Sequence, residues 1–213
     1  MSIGNIPTNF SAGFSATFFA NFGATTQGWE RIFDFGTGTG LNNILAARSG
    51  TTDTFAFELY NGSGGSFGQC TAASTVSNNT WAHYAVTIDG ANCKIYKNGV
   101  LVATNAYTAL PTNVTRTSNF IGRSNWSGDG YFDSGIGEIS IYNRAVSATE
   151  IWQNFRAESN FCTYVISSSG STQYARVTDA NQCLFSFPAG VTSYDYFIVG
   201  GGGGGGGANH TGS

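Results

Sequence analysis

Trp126 stands in the polar, glycine-rich run Arg123-Ser-Asn-Trp-Ser-Gly-Asp-Gly-Tyr-Phe-Asp-Ser-Gly135, where little apolar sequence is at hand to cover an indole. An exposed indole face can stack on the C–H groups of a sugar. Tyr131 and Phe132 follow closely, and Arg123 and Asn125 supply hydrogen-bonding groups. Arg123, Asn125, Trp126, Tyr131 and Phe132 therefore read as a loop binding surface, since loops on a rigid scaffold carry function. The competing reading is that Trp126 folds back over a sheet edge. Catalytic chemistry has thinner support. Glycoside hydrolysis needs two carboxylates about 5–10 Å apart across a cleft, and the run Phe55-Ala-Phe-Glu58-Leu carries one. No Gly-x-Ser-x-Gly elbow or catalytic Cys–His neighbourhood stands out. Gly36-Thr-Gly-Thr-Gly40 imitates a phosphate loop, but no Lys-Ser/Thr follows it and it reads as a turn.

Composition bounds the partners. The 213 residues allow one large β-domain, or one domain plus a smaller piece. Only 10 % of residues are charged, against about 25 % in an average soluble domain. Thr, Ser, Asn and Gly must then build the surface, as is common in extracellular and virion β-proteins. Nine scattered Lys and Arg and a net charge of −3 argue against nucleic acid, which needs clustered cations. No apolar run approaches the ~20 residues of a membrane-spanning helix. The opening MSIGNIPTNFSAGF lacks the basic and apolar regions of a signal peptide. Either a signal has been removed, or the protein reaches the outside without one, as a phage structural protein does.

The elements are mostly strands. Phe14, Ala16, Phe18, Ala20 and Phe22 alternate with Ser15, Thr17, Phe19 and Asn21. Trp29, Arg31, Phe33 and Phe35 alternate with Glu30, Ile32 and Asp34, and Phe55, Phe57 and Leu59 with Ala56, Glu58 and Tyr60. Trp81, His83, Ala85 and Thr87 oppose Ala82, Tyr84, Val86 and Ile88. Trp29 and Trp81 begin such strands and read as core. Asp89-Gly90 and Asn98-Gly99 are turns, the second a type I′ hairpin needing positive φ at both residues. Many short strands with Gly-rich turns indicate an all-β sandwich or jelly roll. Ser147-Ala-Thr-Glu150 is a capping box that opens a short helix over 147–156. Ile151, Trp152 and Phe155 follow at helical spacing, with Trp152 as its core anchor.

After Phe161 the composition changes. Three or four strand-like runs lead into eight glycines, Gly200 to Gly207. These are read either as a flexible tail or as packed polyglycine strands. Residues 1–158 thus form the main domain and 159–213 a small β and glycine-rich segment. The four cysteines have no CxxC spacing, so zinc is not indicated. Of three possible pairings the favoured one is Cys162–Cys183, stapling the C-terminal segment, with Cys70–Cys93 joining neighbouring strands. Four buried thiols are the alternative.

Taken together, several runs resemble the laminin-G-like (concanavalin-like) jelly-roll family. They are WERIFDFGTGTGLNNILAARSG, Trp81-Ala-His83, Lys97-Asn98-Gly99, Ile121-Gly-Arg-Ser124 and Ile141-Tyr-Asn-Arg-Ala145. Their order and spacing carry the resemblance over about residues 10–158. It implies a concanavalin-like sandwich of two antiparallel sheets, presenting loops for recognition, with glycans or surface proteins as partners. It implies no enzyme: glucanases of this general fold carry E-x-D-x-x-E on one strand, a pattern absent here. His83, in a position common among non-catalytic relatives, reads as a structural hydrogen bonder. Some relatives bind calcium, which would place Asp34, Glu138 and the Asn43 carbonyl, or alternatively Asp129 and Asp133, around an ion. Here Gly137 stands where the family often has an Asp before that Glu, which weakens the site, and pairing of Asp34 and Glu138 with Arg31 and Arg144 is the alternative. The C-terminal run resembles the opening of a glycine-rich module of bacterial and phage surface proteins. Two roles follow, both extracellular, on a cell surface or on a virion: a glycan-binding or adhesion module, or a structural subunit (capsid decoration, fibre or filament) assembling through its glycine-rich segment; a third reading is an accessory domain of a larger glycosidase.

Overall fold

A strand that alternates Phe14, Ala16, Phe18 and Ala20 with smaller or polar residues can give only one face to an apolar core. The computed structural model obeys this; it describes residues 1–24 and 28–157, and the backbone of 158, 164–169, 172–177, 195–198 and 208–211. In chain order the strands are β1 (Phe14–Asn21), β2 (Arg31–Gly36), β3 (Ile44–Arg48), β4 (Phe55–Tyr60) and β5 (Ser66–Ala72). β6 (Trp81–Ile88), β7 (Asn92–Lys97), β8 (Val100–Ala106), β9 (Ser118–Ile121) and β10 (Gly135–Tyr142) follow, then helix α1 (Ala148–Glu158). They form two antiparallel five-stranded sheets, ordered β10-β1-β6-β7-β8 and β5-β4-β3-β2-β9. This is the expected concanavalin-like jelly-roll sandwich.

Between the sheets lies one aromatic core. Phe14 stacks on Phe57 at 5.7 Å, Phe18 on Tyr84 at 5.9 Å, and Phe55 on Tyr84 at 5.7 Å. The Phe14–Phe57 and Phe55–Tyr84 contacts join the two sheets, while Phe18 and Tyr84 are cross-strand neighbours within one of them, so a one-residue slip of any of these strands would expel its aromatic rings. Cys70 on β5 and Cys93 on β7 are disulfide-bonded and fully buried. The expected pairing is present, but it links opposite sheets rather than neighbouring strands. Closing a loop of this length contributes about 3 kcal/mol in the chain-entropy account.

Turns and caps follow local chemistry. Asn98 and Gly99 both have positive φ, 50° and 77°. Ser147 N–H donates to Glu150 and Glu150 N–H to Ser147 Oγ, forming the capping box. Arg144 also pairs with Glu150, and together these contacts hold its carboxyl down at about 2.

Three tryptophan expectations need correction. Ala82, Tyr84, Val86 and Ile88 take the core side of β6, so Trp81 faces outward and is 52 % exposed. It lies over Gly135, where an added Cβ would come within 2.5 Å of the indole. Trp29 is half-buried outside the core, because a register shift between Arg31 and Phe33 breaks the alternation and puts both Ile32 and Phe33 inside. On α1 the buried pair is Ile151 and Phe155, four residues apart. Trp152, a third of a turn away, is 40 % exposed and rests on Gly99.

The chain divides into two compact units, Met1–Ser159 and Asn160–Ser213. In the second, β11 (Tyr164–Ser169) pairs with β12 (Thr172–Val177) and β13 (Asp195–Ile198) with β14 (Ala208–Thr211), both antiparallel. The last of these strands, just past the glycines, has no counterpart in the sequence expectation. Cys162, Cys183 and the run 200–207 lie outside the described residues.

His83 is fully buried, its ring 5.2 Å from Phe19 and 5.6 Å from Phe155. Its structural role is therefore to pack beneath the helix. Burial lowers its pKa from 6.5 to about 4. Between those values the unfolded chain binds a proton that the folded chain refuses. This contribution to stability is complete above pH 6.5 and falls by about 3 kcal/mol as pH drops to 4. His83→Gln is expected to remove that part of the acid slope, read by urea unfolding of both proteins across this range.

Candidate functional site

The Trp126 loop is built on one buried carboxylate. Asp34, on the outward side of β2, is fully buried. Its Oδ1 accepts from Asn43 Nδ2 at 2.7 Å and Asn125 Nδ2 at 2.9 Å. Its Oδ2 accepts from the Asn125 backbone N–H at 2.9 Å, and Arg31 Nε lies 3.9 Å away. Burial pushes this carboxyl above its ordinary value, against the pull of those hydrogen bonds and of Arg31. Asn125 is locked from the other side too, its Oδ1 accepting from Ser118 Oγ at 2.6 Å. The loop's ends are pinned where Phe132 N–H donates to Gly122 O at 3.1 Å and Gly122 N–H to Ile32 O at 2.9 Å.

Held in this way, the loop carries Trp126 and Asp129 to Arg31. Arg31 Nη2 donates to Asp129 Oδ2 at 2.8 Å, and Nη1 donates to the Trp29 carbonyl at 2.9 Å. The guanidinium sits 5.3 Å from the Trp29 ring and 5.5 Å from the Trp126 ring, both within cation–π range. Ser124 Oγ donates to the same Asp129 oxygen at 2.8 Å.

Beside this cluster opens a cleft of about 410 Å³, within the usual range for small-molecule sites, about 300–1,000 Å³. Trp29 and Trp126 line it together with Arg31 and Asp129. Its remaining lining comes from β4 and β5: Glu58, Tyr60, Ser66 and Gln69. Cross-strand register brings these groups together. Asp34 pairs with Leu45, Leu45 with Glu58 and Glu58 with Gln69, giving one transverse row on the outward face of the second sheet. Gln69 Nε2 donates to Glu58 Oε1 at 2.6 Å. The Tyr60 ring lies 5.0 Å from that of Trp126. Partial burial and the Glu58 carboxylate push the Tyr60 phenol up to about 12, so it remains a donor at neutral pH. Aromatic faces above polar groups suit a ligand with both C–H faces and hydroxyls.

The five loop residues expected from sequence divide. Arg123, Asn125, Trp126 and Tyr131 surround a second, smaller hollow of about 150 Å³. Trp126 and Asp129 form the wall it shares with the cleft. Arg123 stacks over Phe120 at 4.4 Å, and Tyr131 is 62 % exposed. Phe132 leaves the surface and packs edge-on against Phe22 at 5.2 Å. Asn125 spends its side chain on Asp34 and Ser118. Sequence reading overlooked Trp29, Arg31, Glu58, Tyr60, Ser66 and Gln69. The outward alternation of Ala56, Glu58 and Tyr60 was their one visible signal.

The residues expected around calcium are not assembled. Glu138 is exposed on β10 of the other sheet, while Asp34 and Asn43 are buried together. Both Asp34 oxygens face N–H donors, whereas calcium requires converging oxygens. Asp129 is paired with Arg31, and Asp133 is exposed. Among the described residues no group of three His, Cys, Asp or Glu gathers as a metal site, and the donor set at Asp34 does not fit the ion. Arg144 pairs with Glu150 rather than Glu138.

A family model of the Concanavalin A-like lectin/glucanases superfamily, of the laminin-G type, matches residues 1–152. The chain belongs to this family. An α-L-arabinofuranosidase of Bifidobacterium longum is 30 % identical over 70 residues, 32 % of this chain and 7 % of that protein. The chain therefore spans a small fraction of this curated relative. Among solved structures, a carbohydrate-binding module (CBM40) of the Ruminococcus gnavus IT-sialidase, bound to α2,3 sialyllactose, superposes with a TM-score of 0.55. The match covers 73 % of this chain and 95 % of that one at 14 % identity. Domain 4 of AbnA, an extracellular arabinanase of Geobacillus stearothermophilus in complex with arabinotriose, gives 0.52 over 71 % and 70 % at 17 % identity. At such identities the shared property is the fold.

Asp34→Ala would leave the donors of Asn43 and Asn125 without their acceptor, at a cost of about 2–3 kcal/mol. The expected result is faster amide hydrogen exchange concentrated in residues 122–132 while β1 and β6 stay protected. Uniform protection across the loop would contradict the anchoring role of Asp34.

Proposed function

We propose that this member of the concanavalin A-like lectin/glucanases superfamily is a non-enzymatic glycan-binding module acting outside the cell, on a cell or virion surface. The observation that carries the reading is the cleft in which Trp29, Tyr60 and Trp126 stand around Arg31, Glu58, Gln69 and Asp129. Aromatic rings beside fixed hydrogen-bonding groups match the amphipathic surface of a sugar. Support comes from two similar solved structures, a CBM40 bound to α2,3 sialyllactose and domain 4 of an arabinanase in complex with arabinotriose. The buried disulfide suits an oxidising compartment. Absence of catalysis is supported by the ion pair between Asp129 and Arg31, which takes one of the cleft's two carboxylates out of a facing acid–base pair. The smaller hollow around Arg123, Asn125 and Tyr131 extends the recognition surface across Trp126.

A second reading, assembly of copies into a fibre, filament or capsid layer, has one observation in its favour. The edge strand β8 leaves Val100, Leu101 and Val102 exposed, and bare apolar edges invite strand pairing.

Screening on a glycan array followed by titration calorimetry is expected to yield a ligand for the full chain. Trp126→Ala and Tyr60→Ala should each weaken that ligand by about tenfold or more, the loss of at least about 1.4 kcal/mol, with the unfolding midpoint little changed. Should Trp126→Ala leave binding intact, while Leu101→Lys on β8 or removal of residues 162–213 abolishes a defined oligomer, assembly is the primary role.

A further inference from the structure

We infer that the cleft selects neutral, hydroxyl-rich glycans and rejects acidic ones; the inference rests on the glycan-binding reading above. Recognition of a carboxylate or sulfate on a sugar is strongest with an uncommitted cation, most effectively a guanidinium offering two parallel N–H groups. Arg31 is the cation that lines the cleft, and the protein has already used it. Nη2 is bonded to Asp129 at 2.8 Å, Nη1 to the Trp29 carbonyl at 2.9 Å, and Nε lies 3.9 Å from Asp34. Indoles flank the guanidinium at 5.3 and 5.5 Å, and Arg31 is only 5 % exposed. Its work is to brace Trp29 and Trp126.

The groups left to a ligand have the opposite preference. Glu58 and Asp129 line the same cleft, so carboxylates outnumber cations, and an acidic sugar would enter beside like charge in partly desolvated surroundings. A hydroxyl, by contrast, donates to a carboxylate oxygen in a charge-assisted bond. Among the described residues the side-chain bonds to Asp129 fall on Oδ2, leaving Oδ1 as an acceptor. Gln69 takes Glu58 Oε1. The Tyr60 hydroxyl is hydrogen-bonded to Glu58 and to Ser66, and both hydroxyls keep lone pairs that can accept from a ligand. Arg123 is exposed and lies across Trp126 in the smaller hollow, so an acidic group could meet it only by leaving the cleft.

The test is an array that prints neutral oligosaccharides, arabinotriose and lactose among them, beside sialylated, uronic-acid and sulfated counterparts such as 3′-sialyllactose, probed with the full chain. Ligands are expected among the neutral members. In calorimetry the acidic counterpart of any ligand should bind at least about tenfold more weakly. Glu58→Gln, close to isosteric, should weaken the neutral ligand by about tenfold, the value of one charge-assisted hydrogen bond. Asp129→Asn, by releasing Arg31, should narrow the gap between the neutral and acidic members. Preferential binding of acidic glycans, abolished by Trp126→Ala, would overturn this inference and leave the cleft as the glycan site. Unchanged neutral affinity in both variants would likewise overturn it. No glycan bound at all would overturn it together with the reading on which it rests.

Discussion

A carboxylate without solvent contact persists only where the protein supplies what water would. Asp34 meets that requirement through Asn43 and Asn125, and the rest of the site depends on it. The two amide partners lie nine and ninety-one positions away in sequence. One buried oxygen pair therefore fastens β2, the start of β3 and the loop after β9 to a common point. Without it Trp126 would have no fixed place, and Asp129 would not reach Arg31. The energetic consequence runs in both directions. Desolvation raises the Asp34 pKa, so the charged group is an expense in itself. What it secures is a polar loop of a single shape.

The sandwich provides the frame for that arrangement. Phe and Tyr rings from both sheets interlock at its centre, and this fixes the outward direction of every other residue. On the second sheet the outward row of Asp34, Leu45, Glu58 and Gln69 crosses four strands. Polar groups far apart in sequence are thus aligned by register alone. The bulge at Arg31 adds the one irregularity the site requires. It turns Ile32 and Phe33 both inward while Arg31 stays on the outer side, between two indoles. On the opposite sheet the outward face is closed instead by α1, whose Ile151 and Phe155 cover β6 and bury His83.

Features governed by local periodicity were legible in the sequence. The aromatic alternation of β1, the Asn98-Gly99 turn and the Ser147–Glu150 capping box each depend on residues within a few positions of one another. Their order carried the family resemblance, and the family and fold stand. The cleft was only half legible. Trp126 announced itself by its polar surroundings, but Glu58, Tyr60 and Gln69 look like ordinary outward strand residues until register aligns them. Phe132 read as surface because its partner, Phe22, is 110 residues away. Trp29 and Trp81 read as core because each opens an alternating apolar run. A bulge breaks that alternation beside Trp29. At Trp81 the core fell to the other face of the strand. Asp34 and Glu138 seemed a pair only by analogy; they lie in different sheets.

The central claim is that the cleft between Trp29 and Trp126 is where a glycan binds. The chain has four tryptophans, and two of them, Trp81 and Trp152, are well exposed on other surfaces. Four indole N–H resonances, assigned by single Trp→Phe substitutions, therefore give an internally controlled map. Titration with a glycan selected by the array should shift the signals of Trp29 and Trp126 together and leave Trp81 and Trp152 in place. Movement of Trp81 or Trp152, with Trp29 and Trp126 unmoved, would contradict the account.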